Sequence, residues 1–144
     1  MRGDRGRAIQ EKPVGLEPAL DPETYVFCAA NDPQTVAKAE GLALCVFKEP
    51  EATSLILPRA AAERLGFDVS LPMRRITLML NSALDGVGLT AAVSAALTTG
   101  NIACNVVAAY RHDHLFVPAR TAEPALRILK RLRWEEPSPG AGPP

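Results

Sequence analysis

Aromatic residues are scarce, at 5% of the 144-residue chain. That removes the rows of stacking rings with which single-stranded nucleic acid is held. A surplus of charge is also missing, since Lys+Arg and Asp+Glu both number 16. Without a net field, neither nucleic acid nor a membrane surface is an expected partner. Cysteine is limited to Cys28, Cys45 and Cys104, each inside an apolar run. An odd, scattered set reads as small core residues in a reducing compartment, not as disulfides or zinc ligands. No apolar run approaches the ~20 residues that cross a bilayer. The opening MRGDRGRAIQEKPVG lacks the apolar stretch of a secretory signal. The expected location is cytoplasmic.

What is present is an ordinary globular composition, 47% hydrophobic and 22% charged, enough for one domain or two very small ones. Residues 1–22 mix Arg, Gly, Asp and Pro without period, and EEPSPGAGPP (135–144) cannot form a core. Both ends are expected to be loose. Between them, TYVFCAA (24–30), LALCVFKE (42–49) and ATSLILP (52–58) read as strands, with Glu49-Pro50-Glu51 as a hairpin connection. RAAAERLG (59–66) reads as a short helix, opened by Pro58 and closed by Gly66. RRITLMLN (74–81) is a strongly apolar strand.

The next helix, 86–99, has the clearest period: Leu89, Ala92, Val93, Ala96 and Leu97 fall on one face. Asp85 is its candidate N-cap and Gly100 its candidate closing residue. IACNVVAAY (102–110) and HLFVP (114–118) return as strands, with Asp113 as a turn residue between them. A last helix, 121–134, is capped by Thr121 and buries Ala122, Ala125, Leu126, Leu129 and Leu132. Its Arg127, Lys130, Arg131 and Arg133 read as a solvated face.

The second half is thus βαββα, the ferredoxin-like plan of an antiparallel sheet with helices on one face. The first half reads as an abbreviated βββα, because the stretch between Ala30 and Glu40 looks too short for a full helix. SLILPRAAAERL and HLFVPARTAEPAL echo each other, with Pro58 and Pro118 lying 60 positions apart. The echo points to two related units. Strand 102–110 is apolar on both faces, so the face away from the helices needs a cover, most simply a second copy.

The runs TYVFCAA, EGLALCVF and RRITLMLNSALDGVGLTAAVSAALTTGNIACNVVAAYRHDHLFVPA resemble a bacterial family of small proteins built from tandem ACT domains. The resemblance covers roughly residues 23–132 and is most specific in VGLTAAVSAAL, the Asn105–Ala108 run and HDHLFVP. Through its ACT units the family is similar to the regulatory domains of aspartate kinases and to a eukaryotic cytosolic arginine sensor. It implies an α+β, ferredoxin-like fold that senses a small molecule, typically an amino acid, and works as a dimer, with no catalysis and no cofactor. Composition and the resemblance together give a flexible segment (1–22), an abbreviated ACT-like unit (23–72), an ACT domain (73–134) and a tail (135–144) as the expected organisation.

The residues offer a matching site. In the turn NSALDGVGL, a helix start presents free N–H groups and a positive dipole end to an anion. Gly86 and Gly88 let a ligand approach the backbone, and Asp85 can pair with an ammonium. Asn81, Ser82, Val87 and Leu89 complete the turn. A capped tight turn explains the same residues without a ligand. Asn105 is the polar residue of its strand and, with the adjacent Val106, forms a second candidate position; a ligand, a loop or a partner chain could satisfy its amide. His112 and His114 flank Asp113; lining a ligand site or supporting the hairpin suits them better than metal binding, since no further ligand is evident. No catalytic serine or cysteine arrangement is present. The competing readings are a dimeric scaffold without ligand and a metal protein centred on the two histidines.

Overall fold

The computed structural model describes residues 13–137. The chain divides into two compact units, one spanning Asp21–Arg75 and the other joining the chain up to Leu20 with Ile76 onward. The elements in order are β1 (Val14–Gly15), β2 (Pro18–Ala30), α1 (Pro33–Glu40), β3 (Cys45–Lys48), β4 (Thr53–Pro58), α2 (Arg59–Arg64), β5 (Met73–Leu78), α3 (Leu89–Thr99), β6 (Asn105–Ala108), β7 (Asp113–Pro118), a single 3-10 turn (Ala119–Thr121), α4 (Ala122–Arg131) and β8 (Arg133–Trp134). Both units therefore run βαββα, the mixed α+β plan with helices laid on antiparallel strands.

In the Asp21–Arg75 unit the strands lie in the order β3-β4-β2. The register sets Val26 opposite Leu57 and Cys28 opposite Leu55. Alternation then sends Val26, Cys28, Leu55 and Leu57 to one face, where they pack with Ala39 of α1 and Ala62 of α2. A fully buried leucine such as Leu57 contributes ~1.5–3 kcal/mol of transfer free energy. The opposite face carries Phe27 and Phe47, 46% and 67% exposed. At the start of β2 the Asp21 carboxylate takes a 2.9 Å bond from the Tyr25 hydroxyl and a 2.7 Å ion pair from Arg75, and the Asp21 carbonyl accepts from Arg74.

Helix α1 corrects the expectation of an abbreviated βββα unit. Asp32 caps it, accepting from the Thr35 N–H at 3.1 Å, and Pro33 supplies a preset first turn. The sequence hides it because eight residues bury only Ala39, so no apolar stripe shows.

In the other unit the strands lie in the order β5-β7-β6. Ile76, Leu78, Leu115 and Val117 pack against Leu89, Val93 and Leu97 of α3 and Ala122, Ala125 and Leu129 of α4. Of the expected stripes, Leu89, Val93, Leu97, Ala122, Ala125 and Leu129 are buried, Ala92, Ala96 and Leu126 are half-buried, and Leu132 lies past the end of α4 in extended conformation. Two proline junctions match closely: Pro58 (φ −53, ψ 135) and Pro118 (φ −52, ψ 137) each end a strand in the same conformation and start a helix. The sequence echo is a repeated backbone device.

The ends depart from expectation. The segment 1–22 was expected to be loose, yet Leu16 is fully buried, β2 begins at Pro18, and the Leu80 and Met79 N–H groups donate to the Leu16 and Glu17 carbonyls. The apolar residues Val14, Leu16 and Leu20 are too sparse to show a period. The last helix stops at Arg131, not 134, because Arg133 and Trp134 leave it to pair with Gly15 and Val14. Residues 1–12 and 138–144, the rest of the two ends expected to be loose, lie outside the described residues.

Three local assignments also change. Helix α3 starts at Leu89 behind Gly88, whose φ of +101 only glycine adopts easily, so Asp85 is not its cap. Gly100 has φ −83; the left-handed residue closing α3 is Asn101, at φ +58. Asp113 is the first residue of β7, opposite Ala108, and not a turn residue; the Ala109 N–H closes the hairpin on the His112 carbonyl.

Candidate functional site

A cavity of about 320 Å³ opens at the junction of β5 and α3, wholly within the unit that contains them. Its floor is the turn from Asn81 to Thr90, its side the β6–β7 hairpin at Ala108, Ala109, His112 and Asp113, and its far wall Trp134 and Glu136. The turn is sharp because the Gly86 N–H returns to the Ala83 carbonyl at 2.9 Å. A methyl on Gly86 would lie 3.0 Å from that carbonyl oxygen and 3.5 Å from Glu136 Oε1. A methyl on Gly88 would lie 3.8 Å from Pro137 and 3.9 Å from the indole nitrogen of Trp134. The C-terminal segment thus rests against the glycine turn.

The first bond inside α3 runs from the Ala92 N–H to the Gly88 carbonyl, so the N–H groups of Leu89, Thr90 and Ala91 have no intrahelical acceptor. They lend the cavity a positive edge. The ionisable side chains of the lining are His112, Asp113 and Glu136. Ser82 points its hydroxyl at Asp113, 3.5 Å away. Anion-attracting and cation-attracting groups therefore face one small space.

Of the residues singled out in the sequence, the cavity brings together Asn81, Ser82, Gly86, Gly88, Leu89 and His112. It does not include Asp85, Val87, Asn105, Val106 or His114. Asp85 and Val87 are exposed in the turn. Asn105 is exposed at the first position of β6, so hydration satisfies its amide. His114 lies within β7 with Nδ1 2.8 Å from the Thr77 hydroxyl. The histidines thus have different surroundings, and among the described residues no group of three or more His, Cys, Asp or Glu is placed to hold a metal.

Sequence reasoning missed Asp113, Trp134 and Glu136. A single tryptophan in a chain poor in rings, placed beside the last helix, was the available signal, since so large an apolar group is rarely left in water. Burial pushes the Cys104 and Cys28 thiols above their ordinary range, which disfavours the thiolate at both. Among the described residues no helix is long and apolar enough to cross a membrane.

Comparisons with known proteins bear on this geometry. Two ACT-domain family models match, one over residues 14–74 and one over residues 71–131. No curated protein sequence matches the chain. Among solved structures, a Vibrio cholerae protein of unknown function is 37% identical, with a TM-score of 0.74 over 81% of this chain and 88% of that one. An Agobacterium tumefaciens protein is 17% identical, with a TM-score of 0.61 over 81% and 87% of the two chains. The regulatory subunit of aspartate kinase from Thermus thermophilus, in a ligand-free form, shares the fold at 14% identity, with a TM-score of 0.57 over 78% and 92%. Two successive βαββα units, each matched by its own model, make this chain a tandem member of the ACT-domain family of regulatory, ligand-binding modules.

Proposed function

We propose that the protein is a non-catalytic sensor that binds an amino acid, or a similar small zwitterion, in the cavity at the start of α3. Residues 73–134 supply most of the site and residues 23–72 its companion domain. The observation that carries the reading is the cavity itself. Its size of about 320 Å³ stands at the small end of the ~300–1,000 Å³ typical of ligand sites, suited to a single amino acid. A ligand carboxylate fits the amides of Leu89 and Thr90 at the helix end, with His112 beside it. A ligand ammonium fits Asp113, oriented by Ser82. The glycines at 86 and 88 keep side chains out of the space between.

A thermal-shift screen of the purified protein against the twenty amino acids tests this. A ligand at a hundred times its Kd stabilises by ~2.7 kcal/mol, which a melting curve resolves. Asp113→Asn is expected to shrink the ligand-induced shift while leaving the unliganded Tm in place. If no amino acid moves the Tm at millimolar concentration, the reading fails.

The same proposal includes a homodimer in the cytoplasm. Phe27 and Phe47, 46% and 67% exposed, share the sheet face that α1 and α2 leave open. Exposed rings on one sheet face are what an interface buries. That face alone would also suit an assembly module without ligand, which the same screen distinguishes.

A further inference from the structure

We infer that the outward face of α4 is a docking surface for an acidic helix of a partner protein, with glutamates four residues apart seated on Arg127 and Arg131. The distribution of charge carries this, independently of the cavity. Across α3, the 3-10 turn and α4 the cations are Arg120, Arg127, Lys130 and Arg131, against one acid, Glu123. All four cations are exposed, and among the described residues none of them has an ion-pair partner. The fold does not demand this. The helices of the Asp21–Arg75 unit follow the same βαββα plan and mix Lys38, Arg59 and Arg64 with Glu40 and Glu63. The helix dipole does not demand it either. Lys130 and Arg131 suit the negative end of α4, but Arg127 lies mid-helix and Arg120 stands before the positive end, where a cation is unfavourable. Arg133 differs, since its guanidinium donates to the Lys130 and Leu132 carbonyls at 3.2 and 3.3 Å and so closes the helix. Arg127 is three residues from Lys130 and four from Arg131, so like charges stand side by side on one face and repel. Carboxylates from a partner relieve that repulsion.

The same surface sets the partner's chemistry. Arg120, Arg127 and Arg131 each present a planar fork that takes a carboxylate through two bonds. Arg127 and Arg131 stand one helical turn apart, ~5–6 Å, and glutamates four residues apart on a second helix have the same spacing. The adjoining outward face of α3 carries Ala91, Ala95, Thr98 and Thr99, all exposed, short and uncharged, so no long side chain holds a second helix away. The two faces meet where Ile128 packs over Gly100, whose added methyl would lie 2.6 Å from Ile128 Cδ1. A nucleic-acid backbone fits this surface less well. The ten residues of α4 span about 15 Å and carry no ring. The chain's 16 cations are matched by 16 acids, so no wider positive field extends beyond the ridge.

The test is fluorescence anisotropy of the full chain with a labelled helical peptide of repeated Glu-Ala-Ala-Ala, compared with the Gln-Ala-Ala-Ala repeat and with a short DNA duplex. The glutamate peptide is expected to bind about tenfold or more tightly than the glutamine one, and to weaken as salt is added. Arg127→Glu combined with Arg131→Glu is expected to remove that tenfold preference. Lys38→Glu combined with Arg64→Glu changes the net charge equally, on exposed positions of the other unit's helices, and is expected to leave binding unchanged. Should the doubly reversed protein fail to fold, Arg127→Gln with Arg131→Gln reads the same loss without adding acids to the helix. Equal binding of the two peptides, binding that survives the changes at 127 and 131, an equal loss on changing 38 and 64, or tighter binding of the duplex than of the glutamate peptide overturns the inference.

Discussion

Replacing Gly88 by alanine isolates one physical term at the most constrained point of the site. Gly88 has φ +101 and precedes the first residue of α3. A Cβ there would meet Pro137 at 3.8 Å and the Trp134 nitrogen at 3.9 Å, ordinary van der Waals contacts, so no clash adds to the effect. What remains is the left-handed backbone, which costs an L side chain ~1–2 kcal/mol. For a chain of this size, at ~2–4 °C per kcal/mol, the Tm should fall by about 2–8 °C. Gly41→Ala is the matching control. Its φ of −69 and ψ of −17 suit any residue, and nothing lies within 4 Å of an added Cβ. There alanine should stabilise by ~0.4–1 kcal/mol, by restricting the unfolded chain. Scanning calorimetry or denaturant titration reads both. A Gly88→Ala protein as stable as the parent would mean that the turn before α3 is not left-handed, and the geometry of the proposed site would fall with it.

Two further perturbations address the Asp21–Arg75 unit. Asp21→Asn removes the 2.7 Å ion pair to Arg75 and should destabilise by ~1–3 kcal/mol. Burial opposes ionisation of Asp21 and is the largest influence, but the Glu23 N–H, the Tyr25 hydroxyl and Arg75 together hold the carboxyl below its ordinary 3.8. Its contribution is therefore present above that value and is lost as the pH falls below it. Tyr25 behaves oppositely: burial, then the bond to Asp21, push its phenol up to about 12 from an ordinary 10.0. Its share is whole below pH 10 and is lost as the pH rises towards 12. Denaturant titrations across pH should show both losses in the parent, the acid one absent in Asp21→Asn and the alkaline one absent in Tyr25→Phe. Phe47→Glu places a charge on the open sheet face at a 67% exposed position. It should leave the folding stability of the monomer within about 0.5 kcal/mol of the parent while abolishing dimers in analytical ultracentrifugation; an unchanged sedimentation profile would exclude that face as the contact.

Periodicity made most of this architecture readable. The stripes Leu89–Val93–Leu97 and Ala122–Ala125–Leu129 are core because a 3.6-residue repeat must face something apolar. Helix α1 escaped because it is held by a cap and a proline rather than by a buried face. The start of α3 was misplaced because Asp85 satisfies the statistics of a cap, while the backbone turns left-handed three residues later at Gly88. The cavity was legible where local geometry makes it, at Asn81, Ser82, Gly86 and Gly88. It was illegible where distant segments meet, since the lone Trp134 signals burial but neither it nor Glu136 announces a return to residue 86. Asn105 misled for a simple reason: a strand edge in water satisfies an amide that a buried strand would not.

The pairing of Val14 with Trp134 also orders events during synthesis. The segment Asp21–Arg75 is continuous and holds its own apolar cluster, so it can collapse while the ribosome is still adding residues. The other body has Leu16 in its core and must keep that leucine waiting until the last strand emerges more than a hundred residues later. Closure over so long a separation is slow, and nascent chains stopped short of residue 133 should retain a protease-sensitive amino terminus beside an already resistant first body.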